Sequence, residues 1–305
     1  MKHNPFAPLK LGQQLLIALL LVGLIPSISS AASGPTSAEY GVVLNLSGKQ
    51  RMLSQKMSKE VMLIALEDNA AANLASLEKT SMLFDKTLKG LRSGDTQLRL
   101  PVTSSSRILR QLDKIDAIWA EFYPVVKKIL ASKSVTKEQV AVVAAKNLPL
   151  LKAMNKAVGL YEKDAKKGGL KAAPGLAATL NLSGKQRMLT QKMSKEFLLI
   201  AFGHQVEDNK LNLLETYTLF ERTLKGLRDG DDILSLPSTK PKHILDQLAV
   251  VDGLWVKFKP VVEFGTKSTT KSIPKDKFTL LAKSNIPLLR EMNKAVGMYE
   301  KEAAK

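Results

Sequence analysis

Leu46, Leu53, Met57 and Ile64 fall within about 40° of one another when the chain is wound at about 100° per residue. That is the apolar stripe of an amphipathic helix packed into its own bundle. Thr36 and Glu39, just after Gly34-Pro35, form a capping box, so the first helix runs from about residue 37 to Glu67. A second is expected from about Ala70 to Arg92, ended by Gly94-Asp95 and the Leu100-Pro101 break. Ser104 to Ser106 offer caps for a third, about 106 to 131, with Ile108, Leu112, Ile115 and Trp119 on one side. A fourth begins near Thr136 and ends by Lys167. Pro149 inside it should kink or divide it, because proline removes a backbone donor and clashes with the preceding turn.

The first helix also has an unusual opposite side. Leu44, Gly48, Arg51, Gln55, Ser58 and Met62 line it at spacings of three and four, where a surface helix would show unrelated solvated residues. A glycine costs a helix interior about 1 kcal/mol against alanine, so Gly48 is better explained by the close approach of another backbone or a ligand. The stretch NLSGKQRMLSQKMSKE, Asn45 to Glu60, returns as Asn181 to Glu196 with Thr190 in place of Ser54 as the one change. Its second face is Leu180, Gly184, Arg187, Gln191, Ser194 and Leu198, with Leu182, Leu189, Met193 and Ile200 behind it.

The duplication runs well past this stretch. Phe84, Thr87 to Arg92, Leu100-Pro101, Trp119, Phe122 and Pro124 to Val126 all recur 136 residues later. Asn147 to Leu151 and Met154 to Val158 recur as Asn285 to Leu289 and Met292 to Val296. The expectation is an all-α protein of two tandem up-down four-helix bundles, residues 33–167 and 176–305, joined by a linker at 168–175. Trp119 and Trp255, at helical spacing, are expected to be core anchors. An even number of helices returns the chain to the end where it entered. The segment KKGGLKAAPG, Lys166 to Gly175, spans roughly 33 Å when extended, enough to set the two first helices side by side as a pseudo-dimer. Pairing between two chains, as a homodimer, is the alternative.

An Asn, a small residue and Gly, then Arg-Met after a two-residue gap, then Ser or Thr, resembles the ligand-binding first helix of the PilJ-type sensor domain, the type IV pili methyl-accepting chemotaxis transducer N-terminal domain. It is similar, more loosely, to the P-box of nitrate/nitrite sensor kinases. The late Asn147 and Met154 blocks resemble the end of a PilJ-type domain. The resemblance implies periplasmic four-helix bundles that pair through their first helices, with one anion at the pair axis. The motif arginine of each partner and backbone near the motif glycine would hold it, which here means Arg51, Arg187, Gly48 and Gly184. Asn45, Asn181, Gln55 and Gln191 are placed to shape the rim or to bond across the interface. Lys49 and Lys56 stand where the family often has Arg; charge is kept and a bidentate fork is lost.

Residues 1–32 read as a cleavable signal peptide: a basic start with Lys2 and Lys10, an apolar run from Leu15 to Ile25, and small residues up to Ala31 and Ala32. The run is short for a membrane span, and no second apolar stretch follows. A soluble periplasmic protein is expected, unable by itself to carry a signal across a membrane as the resembling receptors do. With no cysteine, disulfides and thiolate chemistry are excluded. The 46 basic residues outnumber the 28 acidic ones, and only Lys2 and Lys10 lie in the leader. Such a balance favours anionic partners. Nucleic acid is disfavoured by export, by the 5% aromatic content and by the lack of a recognised binding module. His3, His204 and His243 are isolated, giving no metal-ligand spacing, and no cofactor or catalytic set is evident. The expected function is non-enzymatic binding of a small anion, most plausibly nitrate or nitrite. The alternative is a ligand-free module whose same helix face docks onto the periplasmic domain of a membrane receptor or sensor kinase.

Overall fold

The computed structural model describes residues 34–171, 173–270 and 272–305. The leader expected at 1–32 lies outside them. Eight helices follow in order: α1 Ser37–Ala65, α2 Ala70–Ser93, α3 Ser106–Ser132, α4 Lys137–Lys167, α5 Leu176–Phe202, α6 Val206–Asp229, α7 Lys242–Thr266 and α8 Lys275–Ala303. Between α2 and α3 lies a short antiparallel pair, β1 Gly94–Asp95 and β2 Leu100–Val102. The second copy keeps only a bridge there, between Asp231 and Leu236. No described helix is long and apolar enough to cross a membrane.

The helix ends follow local chemistry. The capping box of Thr36 and Glu39 starts α1, and a second box, Thr136 with Gln139, starts α4. The serines before α3 mark its start, but Ser105 makes no side-chain capping bond. Helix α1 stops at Ala65 because Glu67 and Asn69 take left-handed φ values of 55° and 49° in the turn. Helix α4 runs through Pro149 undivided, and α8 runs through Pro287.

Helices α1 to α4 form one bundle and α5 to α8 the other, and the most extensive contact between them is α1 against α5. The start of α1 meets the end of α8, where the Ser37 hydroxyl donates to the Ala303 carbonyl at 2.6 Å. Since α8 runs antiparallel to α5 within its bundle, α1 and α5 are parallel. Each is therefore packed by its own bundle on one side and by the other bundle on the opposite side. Leu53, Met57, Ile64, Leu189, Met193 and Ile200 are buried in the core, while Leu46 and Leu182 are only half-buried against it.

Aromatic residues fill the bundle interiors. Phe84 lies 4.4 Å from the ring of Trp119, and Phe220 lies 4.6 Å from that of Trp255. The indole N–H groups donate outward to Asp85 and Glu221, so both tryptophans anchor the core without a buried unpaired donor. Gln50 and Gln186, inside the repeated stretch, donate to the carbonyls of Phe84 and Phe220 at 2.8 and 2.9 Å. Phe84 is fully buried. Phe84→Ala should cost about 3–5 kcal/mol in chemical denaturation, whereas Lys79→Ala on the exposed face of α2 should stay within about 0.5 kcal/mol of the parent.

Candidate functional site

The repeated stretch lies on α1 and α5 where the two helices come closest. A methyl group built on Gly48 would lie 3.8 Å from the Gly184 Cα, and one built on Gly184 would lie 3.8 Å from the Gly48 Cα. Side chains larger than hydrogen at both positions would separate the helices. The same imagined methyl on Gly48 sits 3.3 Å from the Arg51 Nη2 and 3.6 Å from the Arg187 Nη2; on Gly184 the distances are 3.5 and 3.4 Å. Both guanidiniums therefore converge on the glycine contact.

Each arginine reaches across the interface. The Arg51 Nη2 donates to the backbone carbonyl of Asn181 and the Arg187 Nη2 to that of Asn45, both at 2.9 Å. The Nη1 groups donate to the side chains of Asn155 and Asn293, each at 3.2 Å, on the fourth helix of the same bundle. Both Nε–H groups are buried without a partner. Of the five N–H donors of a guanidinium, three on each arginine have no partner among the described residues. Among the described residues neither arginine forms an ion pair, and Glu60, two turns on, pairs with Lys56.

Both arginines are only 2% exposed, and burial lowers their pKa values from the ordinary 12.5, that of Arg51 to about 10 and that of Arg187 to about 9. For Arg187 the charge of Arg51 adds to the effect, and Glu300 opposes it; for Arg51, Glu162 opposes it. At neutral pH both remain cations. Lys49 and Lys185, half-buried beside them, are also lowered, first by burial and then by Arg187 and Arg51 respectively. Four cations thus face two carboxylates held further out.

The asparagine side chains serve those carboxylates. Asn45 donates its amide to Glu300 and Asn181 to Glu162, both bonds crossing between bundles. The asparagines meet the guanidiniums through their carbonyls, and each leaves its Oδ1 buried without a donor. Gln55 and Gln191 are both fully buried one turn further along, with Oε1 unpartnered. Gln191 donates to Asn285 at 2.8 Å.

Two turns from the arginines a second cationic pair is buried. Lys59 donates to Asn285 of the other bundle at 3.0 Å, and Lys195 to Asn147 at 3.2 Å. Burial drives both ammonium pKa values down to about 8, with the neighbouring glutamates opposing. Asn147 in turn donates to the Ser54 carbonyl and the Ser58 hydroxyl, and Asn285 to the Thr190 carbonyl. Asn155, Asn293, Glu162, Glu300, Lys59 and Lys195 were not singled out by sequence reasoning. Each does recur between the copies, inside repeated blocks such as Met154 to Val158 and Tyr161 to Lys163, and that recurrence was the available signal.

The lysine pair sets a pH dependence. Between about 8 and the ordinary 10.5 the unfolded chain holds protons that the folded chain has released, so stability rises with pH across that window. Burial raises Tyr161 from 10.0 to about 12, so above 10 the folded chain keeps a proton that the unfolded chain loses, and this group makes stability fall between 10 and 12. The thermal midpoint should therefore climb from pH 8 to 10, by a free energy on the order of a few kcal/mol for the lysine pair. Lys59→Met/Lys195→Met should remove the climb between pH 8 and 9 and leave the smaller one that Arg187 and Arg51, lowered to about 9 and 10, contribute above it.

No curated protein and no solved structure matches the chain. The family described as Type IV pili methyl-accepting chemotaxis transducer N-term (PilJ) matches it twice, over residues 37–145 and 170–278. These two ranges take in more than half of the chain, both motif helices entire, and repeat in the order that the two bundles follow. The chain belongs to the PilJ family, as a tandem of two of its domains.

Proposed function

We propose that the chain is an exported, non-enzymatic, sensor-type binding protein that holds one small anion, nitrate or nitrite, between the two motif helices. The observation that carries this reading is the convergence of Arg51 and Arg187, buried and without ion pairs, on the Gly48 and Gly184 contact. Two guanidiniums in a dry interface repel, and an anion between them removes that repulsion while accepting charge-assisted hydrogen bonds. The six unused N–H donors suit a flat oxyanion with several acceptor oxygens. Close helix approach leaves little room, which favours a small ligand over a bulky one. The binding residues on this reading are Arg51, Arg187, Gly48 and Gly184, with the carbonyls of Asn45 and Asn181 released or shared when the anion enters. Gln55 and Gln191 support the interface from below.

The family supports a sensor role in chemoreceptor signalling, and a periplasmic location agrees with it. A receptor or sensor kinase remains a suitable partner for such a protein. The rival reading, in which the glycine and arginine face docks onto that partner, needs the face to be free. Here α1 and α5 cover it mutually, which weighs against the rival.

Isothermal titration calorimetry of residues 33–305 with nitrate, nitrite, sulfate and chloride at fixed ionic strength tests the proposal. One nitrate or nitrite should bind per chain, with sulfate at least tenfold weaker. Arg51→Gln/Arg187→Gln should abolish the heat and, having lost two buried like charges, should be at least as stable as the parent in anion-free buffer. Equal heats for every anion, or binding retained in the double variant, would overturn it.

A further inference from the structure

About 12 Å further along α1 from Arg51, the span of eight helical residues, α1, α2 and α8 enclose a cleft of about 260 Å³. Its walls come from both bundles: Lys56, Lys59 and Glu60 on α1, Asp68 in the turn that follows, and Thr279 and Lys283 on α8.

Among the described residues Lys59, Lys283 and Asp68 have no ion pair within this one space. The Lys56 ammonium is taken up by Glu60, Ser76 and Thr80. Lys59 has only the Asn285 oxygen at 3.0 Å and no carboxylate in ion-pair contact, and the exposed Lys283 has no ion pair among the described residues. On the acidic side, Asp68 accepts only the Thr279 hydroxyl at 2.8 Å through its side chain, and the Glu60 Oε2 is buried with no donor. The N-terminus of α2 opens on the same space, and its cap residue Asn69 makes no side-chain bond to the first amides.

The second copy does not reproduce this chemistry. His204 stands where the first copy has Asp68, and on α4 Ala141 and Ala145 stand where α8 has Thr279 and Lys283. The bundle-building residues beside the cleft, Lys59 and Glu60, do recur as Lys195 and Glu196. With its walls differing between the copies, a site of this composition occurs once per chain.

We propose that this cleft binds a small zwitterion, an amine carboxylate of amino-acid size. Its carboxylate lies against Lys283, Lys59 and the first amides of α2, and its ammonium lies against Asp68 and Glu60. The ligand bridges α2 of one bundle to α8 of the other, so its occupancy ties the two bundles together beside the motif helices. Lys59, lowered to about 8 by burial, gains most from a neighbouring carboxylate.

The site is independent of the arginine pair, and calorimetry on residues 33–305 separates the two. Glycine, alanine, serine, aspartate and lysine are titrated beside acetate and methylammonium at matched ionic strength. At least one amino acid should bind with a submillimolar Kd, with acetate and methylammonium at least tenfold weaker. Asp68→Asn/Lys283→Ala keeps an acceptor for Thr279 and should fold as the parent does by circular dichroism, yet lose at least tenfold in affinity. Arg51→Gln/Arg187→Gln should leave amino-acid binding within twofold while nitrate binding disappears. No heat with any amino acid, acetate binding as tightly as the amino acids, or undiminished binding in the cleft variant would each overturn the proposal.

Discussion

Arg51 and Arg187 are like charges buried in one interface, and among the described residues neither has a carboxylate in ion-pair contact. They are brought together because Gly48 and Gly184 let α1 and α5 approach until backbone nearly meets backbone. Each guanidinium then spans to the opposite helix and bonds its carbonyl. The repulsion is a standing cost that the remaining packing must offset, and a bound anion would convert it to attraction. That coupling links the stability of the interface to the occupancy of the site.

The rest of the architecture serves the same interface. Helices α1 and α5 are covered on nearly every side, which is why they carry buried polar residues that an ordinary bundle helix would place in water. Those residues are bonded to the neighbouring helices: Gln50 and Gln186 to the second helices, Ser54 and Thr190 through the asparagines of the fourth. Lys59 and Lys195 cross to the opposite bundles, as do Asn45 and Asn181. Movement of one motif helix therefore acts on the fourth helix of the other bundle directly. In a sensor-type protein this is the connection through which a ligand between α1 and α5 would be felt at α4 and α8.

Much of this was legible in the sequence because the chain says everything twice. The helix spans came within about two residues of those observed, since capping boxes and Gly-Asp turns are local chemistry. The pairing face was legible from a glycine that a lone helix has no use for. Pro149 did not divide its helix, because surrounding packing holds the residues on either side in helical form. The β1 and β2 pair is too short to leave a pattern. Leu46 and Leu182 sit on the apolar stripe by angle but are only half-buried. Gln55 and Gln191, expected to shape a rim or to bond across the interface, are fully buried one turn from the arginines, and Asn155 with Asn293 went unselected. Both outcomes depend on where the fourth helix lies along the first, a register that only tertiary packing sets.

The most direct measurement is a crystal structure of residues 33–305 grown with and without saturating nitrate. The account predicts a single planar anion on the pseudo-twofold axis between the Arg51 and Arg187 guanidiniums, beside Gly48 and Gly184, and none there in its absence. Guanidiniums still bonded only to the Asn45 and Asn181 carbonyls, with no anion between them at saturating nitrate, would contradict it.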